Sequence, residues 1–168
     1  MLQTMKSYSI QTILYAGLAA AILDITGAVI VYVEMLRVTT TQKILQSIAA
    51  AALGQPAREG GWATALTGLA LHSFIALCFA AFYFIIRSYW KKTFPNKWIA
   101  GVLYGCVVWC IMNMVVVPLT TGQPYQFKLN PFFFYSIGLI IFMVGIPISL
   151  IIEKRMKRKE RDTSSGLS

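Results

Sequence analysis

The sequence predicts an all-α membrane protein: a four-transmembrane-helix bundle with a short interfacial helix in the first outer loop. Three observations predict it. First, the 168-residue chain is 57% apolar and only 12% charged, whereas an ordinary soluble domain carries about a quarter charged residues. With a mean hydropathy of +0.65, so little charge cannot cover a globule of this length with water-compatible surface. So much apolar area also excludes a disordered chain. Second, four apolar runs, at about 13–33, 65–86, 98–117 and 132–152, each reach the roughly 20 residues a helix needs to cross a hydrocarbon core of about 30 Å. Third, Lys and Arg fall between and after these runs, where membrane topology places them. The runs do not alternate as β-barrel strands of about ten residues would. In lipid the helix then remains as the way to bond every backbone group within its own segment.

Taken in order, the run at 13–33 comes after Lys6, as a signal peptide's apolar region would. It is longer than the usual 7–15 or so residues, Asp24 interrupts it, and no small-residue cleavage site leads into a polar segment, so it reads as a retained transmembrane helix. In the long loop after it, residues 42–53 read as a short helix, because Ile44, Leu45, Ile48 and Ala52 recur at helical spacing. Gly54 and Pro56 stop it. Too short to span, it is expected to lie along the outer interface or cap the bundle. Gly60 and Gly61 form a joint, and Trp62 marks the interface before the span at 65–86. Tyr89, Trp90 and Trp98 flank the next, basic loop at the depth such rings prefer. The span at 98–117 leads into a polar loop with Pro124, and the chain re-enters after Pro131. In the last span Pro147 removes a backbone bond and is expected to kink the helix, as a fixed bend or as part of a gate. Residues 1–155 thus form one four-helix domain, and 156–168 read as a basic, then Ser-rich, disordered tail.

Fifteen Lys and Arg against six Asp and Glu give a net charge of +9. In a soluble chain this would suggest nucleic acid; here the placement is topogenic and no nucleic acid is expected. Lys6, Arg87, Lys91, Lys92, Lys97, Lys154, Arg155, Lys157, Arg158, Lys159 and Arg161 fall on one side, and only Arg37, Lys43, Arg58 and Lys128 on the other. Both termini are therefore expected to be cytoplasmic. The basic tail adds an expected contact with anionic lipid headgroups, each Lys or Arg being worth about 1 kcal/mol near such a surface. Cys78, Cys106 and Cys110 lie inside apolar runs and build no disulfide framework.

The polar groups inside the runs are the candidate site. Asp24 lies near the middle of the first span, where a charge costs about 2.5–3.5 kcal/mol on insertion scales, so it must turn from lipid. It shares a stripe with Gly17, Ala20, Ala21, Gly27, Ala28 and Val31. In the second span His72, the single histidine, shares a stripe with Ala65, Gly68, Leu69, Ile75, Ala76, Phe79 and Tyr83. Counted at about 1.5 Å per residue, the depths of Asp24 and His72 agree within roughly one turn, so the two are expected to face each other. The alternative is that Ser, Thr or backbone groups satisfy each separately. The third span puts Gly101, Gly105, Trp109, Met112 and Val116 on one stripe, with Asn113 about 80° away as a further candidate intramembrane polar residue. Gly101-x-x-x-Gly105 is a helix-packing pattern, and Gly17, Gly27, Gly68, Gly138 and Gly145 are further packing candidates, the last two on one face of the fourth span. Cys106, Cys110 and Met112 raise a soft-metal site, but such residues also fill apolar cores, and no metal or cofactor is expected. There is no phosphate-binding loop, paired histidine or nucleophile elbow.

Several of these stretches together resemble the YagU-like family of small bacterial inner-membrane proteins: Leu23-Asp24-Ile25, Leu45-Gln46-Ser47-Ile48-Ala49 with Gly54, Leu71-His72-Ser73-Phe74-Ile75 with Tyr83, Ala100-Gly101, Tyr104-Gly105, Trp109, Met112-Asn113, Val117-Pro118 and Gly145-Ile146-Pro147. The resemblance runs over residues 17–152. It implies a compact helical bundle in the cytoplasmic membrane and carries no established activity, so Asp24, His72 and Asn113 transfer as residues to test. The family pattern has a histidine in the fourth span, where this chain is apolar from Leu139 to Val144, which counts against any mechanism needing two histidines. The expected role is a structural or accessory subunit of a membrane assembly, either a homo-oligomer or a larger complex. The alternative is a small transporter or proton-linked protein using Asp24 and His72. A third reading is an enzyme acting on a lipid or quinone in a cavity lined by His72, Trp109 and Asn113, although no catalytic set is visible and an enzyme is not expected.

Overall fold

The computed structural model describes residues 2–118 and 130–164, with side chains from Tyr8 onward. All regular structure among the described residues is helical. Helix α1 (Leu2–Ala28) runs on into a π-helical stretch, Val29–Met35. The short α2 (Thr41–Leu53) comes next, then a 3₁₀ turn and the long α3 (Gly61–Thr93). Helix α4 (Lys97–Ile111) also ends in a π-helical stretch, Met112–Val116. The last long helix is α5 (Pro131–Leu139) and α6 (Ile146–Ser164), joined without a break through a π-helical stretch at Ile140–Gly145. Four helices, Tyr8–Met35, Gly61–Thr93, Lys97–Val116 and Pro131–Ser164, are long and apolar enough to cross a membrane. Most of the loop before Pro131, with Pro124 and Lys128, and the last residues 165–168 lie outside the described residues.

Local chemistry sets the element ends. The Thr40 hydroxyl accepts from the Lys43 amide at 3.3 Å and starts α2, and Gly54, at φ +83°, ends it in a conformation that disfavours a side chain. The Asn96 side chain accepts from the Trp98 amide at 2.9 Å, and the Asn130 side chain from Phe133 at 3.0 Å with Pro131 in the first turn.

Two helices outrun their apolar stretches. Helix α3 continues through Arg87, Lys91 and Lys92, and α6 continues to Ser164, which corrects the expectation of disorder over 156–164. Arg87 and Arg155 tie these extensions to the bundle. Arg87 holds Glu153 through two bonds of 3.2 Å and lies 3.8 Å from Glu160. Arg155 packs over the Tyr15 ring at 4.5 Å and donates to the Thr12 hydroxyl at 3.3 Å, while Tyr8 donates its hydroxyl to the Arg155 carbonyl at 2.8 Å. The ends of α1, α3 and α6 are thereby tied together, with both chain ends at one end of the bundle.

Helix α1 packs between α3 and α6, and α4 packs along α5–α6, while the sequential neighbours α3 and α4 touch little. The glycines set these approaches. A Cβ on Gly17 would meet the Leu77 backbone of α3 at 2.8 Å, and one on Gly27 would meet Leu139 at 2.8 Å. Gly68 faces the Leu45 carbonyl of α2. Gly101 lies against the Ile146 backbone, Gly105 against Ile141, and Gly145 against Gly105, so the Gly101-x-x-x-Gly105 pattern is spent on the contact between α4 and the last helix. Gly138 corrects the expectation of packing: nothing lies within 4 Å of where its Cβ would sit. The π-helical stretch between Gly138 and Gly145 adds a residue to the turn, so the two do not share a face.

That stretch also bears on Pro147. The amide of Ile146 bonds the Ile141 carbonyl, five residues back, in the wide π pattern directly before the proline. The backbone adjustment that a proline requires is therefore present as a widened turn.

The core fills the half of the bundle near the chain ends. It includes Tyr83, Tyr104, Val108, Ile148 and Ile152, all almost fully buried, with Tyr83 and Tyr104 edge to face at 4.9 Å. Their hydroxyls are satisfied. Tyr104 donates to the Phe79 carbonyl at 2.6 Å, drawing α4 to α3. Tyr83 bonds the Ser149 hydroxyl at 2.8 Å, and Ser149 donates to the Lys97 carbonyl at 2.8 Å, so one buried serine links α3, α4 and α6.

Candidate functional site

Away from the chain ends, the α1–α3 seam opens. Small residues on α1, Ala20 and Ala21, let α3 come close, and beyond them Asp24 meets His72. The His72 Nε2 lies 3.2 Å from the Ala21 carbonyl and 3.7 Å from an Asp24 carboxylate oxygen. A carbonyl only accepts, so Nε2 is the donor in that bond. The carboxylate stands just beyond hydrogen-bond distance of the same N–H. The two side chains are 23% and 15% exposed, Asp24 and His72 respectively. The sequence expectation that they face each other agrees with this placement, and a backbone carbonyl shares the histidine.

The pair lines a cavity of about 190 Å³ whose other lining residues are all apolar. Ile25 and Ala28 come from α1, Ile75 and Phe79 from α3, and Val108 and Met112 from α4. Ile44 and Ile48 of α2 close one side, which gives the short helix its place: it covers this cavity and packs on α3. Each π-helical stretch begins at or inside the cavity wall. Ala28 precedes the first, Met112 opens the second, and Ile140 and Val144 belong to the third. A π turn is wider than an α turn and occurs often where a helix is shaped around a site. Val108 and Val144 belong both to this wall and to the tight core, so towards the chain ends the cavity is closed by packed side chains.

Asn113 does not join the pair. Its side-chain amide donates to the Trp109 carbonyl of its own helix at 3.0 Å, and it does not line the cavity. Trp109 donates its ring N–H to the Ser136 hydroxyl at 3.0 Å, in the contact between α4 and α5. A single cavity of His72, Trp109 and Asn113 is therefore corrected to one of Asp24 and His72 alone. Cys78 and Cys110 are exposed and Cys106 is partly buried; among the described residues no three His, Cys, Asp or Glu side chains converge on a point.

The polar network at the other end (Arg87, Glu153, Tyr83, Ser149, Arg155 and Thr12) is not foreseen from the sequence, where the charges speak first of topology. The sequence does carry one signal of it: Arg87 and Glu153 have opposite charge at the C-terminal ends of the second and fourth apolar runs, which an up-down bundle places on the same side. No family model, curated protein or solved structure matches the chain.

Proposed function

We propose that the protein crosses a membrane four times and binds a small, mainly apolar molecule in the Asp24–His72 cavity, gripping its one polar or cationic group by sharing a proton. One observation carries this: an acid and a base 3.7 Å apart in an otherwise apolar cavity. A charged group inside a bilayer costs about 2.5–3.5 kcal/mol on insertion scales, and helix packing does not need this pair, because Gly17 against Leu77 already closes the same seam. Pockets for small ligands combine an apolar wall with a few placed polar groups. The carboxylate can accept a hydrogen bond or an ion pair from that group, and the imidazole can donate or accept a hydrogen bond. The packed core below the cavity supports a one-sided binding state. The excess of basic residues near the chain ends supports cytoplasmic termini, and the YagU-like resemblance supports a bacterial cytoplasmic membrane.

The test is native mass spectrometry of the chain purified in mild detergent, beside Asp24→Asn and His72→Ala. The expected result is a small-molecule adduct on the native protein that falls at least tenfold in both variants (about 1.4 kcal/mol). Equal adducts on all three, or none on the native protein, overturn the reading.

A structural or accessory subunit is the second reading. The small residues that motivate it are largely used within the chain, which weakens it, but Gly138 is open beside the exposed Phe134, Tyr135 and Phe142. If that face joins copies, light scattering in detergent shows a multimer that Gly138→Leu converts to monomer. A monomer in both forms removes the homo-oligomer version.

A further inference from the structure

At the end of the bundle that holds both chain ends, a second cavity of about 230 Å³ lies where α3 turns into α4 beside α6. Lys91 of α3, Lys97 of α4 and Lys157 of α6 line it, together with Phe94, Trp98 and Glu153. We propose that this cavity binds a phosphate group at the membrane surface, with Lys91, Lys97 and Lys157 as its cationic ligands.

The charge balance is the first argument. Glu153 is the one acidic side chain in the wall, and both of its oxygens already accept from Arg87 at 3.2 Å. Its charge is thus cancelled from the α3 side. The three lysines, by contrast, form no ion pair among the described residues. Three separate helices therefore bring lysines to one concavity whose single acidic lining residue already has a partner. Like charges so placed repel, and an anion between them reverses the sign of the interaction. Phosphate suits lysine, which acts as a point charge on an anion with several acceptor oxygens.

Depth and size are the second. Trp98 and Phe94 line the cavity and Trp90 packs on Phe94 at 5.3 Å, a cluster of rings of the kind that settles at headgroup level. The first turn of α4 is part of the wall and adds the positive end of its dipole. At roughly 30 Å³ of liquid volume per water, the space corresponds to about seven or eight waters, room for a phosphate with an ester substituent. The chemistry is common to an anionic phospholipid headgroup and to a soluble phosphate compound. The site is at the opposite end of the bundle from Asp24 and His72 and does not depend on that cavity's role.

The experiment titrates the full chain in nonionic detergent with short-chain phosphatidic acid, short-chain phosphatidylcholine and inorganic phosphate, read by calorimetry. Lys91→Gln/Lys97→Gln/Lys157→Gln is compared with a control of equal charge loss, Lys154→Gln/Arg158→Gln/Arg161→Gln, on the exposed remainder of α6. The native protein is expected to bind phosphatidic acid at least tenfold tighter than phosphatidylcholine. The cavity variant loses at least tenfold and the control less than threefold, since about 1 kcal/mol per cation is the ordinary nonspecific value. Inorganic phosphate that displaces the lipid at similar concentration assigns the site to soluble phosphates, and failure to displace it assigns the site to the lipid. Equal losses in the two triple variants, or no preference for phosphatidic acid in the native protein, overturn the proposal. Should the cavity variant not fold, the exposed Lys97→Gln alone is read, with a loss of about threefold or more expected and no loss counting against the site.

Discussion

Glu153→Ala is expected to lower the stability of the bundle by about 3–5 kcal/mol. The reason is the charge that the change leaves behind. Arg87 and Glu153 are 11% and 6% exposed, and two parallel bonds of 3.2 Å join the guanidinium to the carboxylate. Without the carboxylate, a charged guanidinium stays enclosed among α3, α6 and the core. Glu160 cannot take over, because it is 57% exposed and 3.8 Å away, and exposed pairs contribute only about 0–1 kcal/mol. The double replacement Arg87→Met/Glu153→Leu removes the charge together with its counter-charge and is expected to recover most of the loss. Reversible unfolding in mixed micelles measures both. A single-variant loss below about 1 kcal/mol, or a double variant as unstable as the single, would show that the pair is solvated.

Gly145→Ala is expected to cost about 3 kcal/mol or more, towards the upper end for an added methyl in a packed interior. A Cβ at Gly145 would sit 2.6 Å from the Gly105 Cα and would also meet the Gly101 carbonyl. Both neighbours are backbone, so no rotamer change relieves the contact, and α4 must move off the last helix. Gly138→Ala is the matched control: nothing lies within 4 Å of its Cβ position, and Ala outranks Gly in helices by up to about 1 kcal/mol. The measurement is the difference in unfolding midpoint between the two single variants. Similar effects at the two glycines would falsify the close approach.

The two variants also mark how much was legible in the sequence. The four long apolar helices and α2 could be read because length, apolar continuity, Gly54 and Pro56 are local signals. The Asp24–His72 meeting could be read because an ionisable group in an apolar helix has few places to turn, and depth along a helix can be counted. Counting at a constant 100° per residue fails where the helix widens. The π-helical stretch at Ile140–Gly145 separates Gly138 from Gly145, and Asn113, already off the stripe by count, is spent on a carbonyl of its own helix. Glycine spacing tells that a backbone comes near but not whose: Gly68 faces α2, Gly27 the last helix and Gly17 α3. The helical extension past residue 155 was hidden because the partners of its charges, Arg87 and Tyr8, are remote in the chain.

The bond from Tyr8 to Arg155 joins residues 147 positions apart. A ribosome adding about 5–20 residues per second needs roughly 7–30 s between making one and making the other. Until the last helix emerges, α3, once made, is the one large partner of α1 in place, and the flank bearing Thr12 is uncovered. The vulnerable period of biogenesis therefore ends with the emergence of the final helix, and a stalled translation product lacking it would present that flank to quality-control proteases.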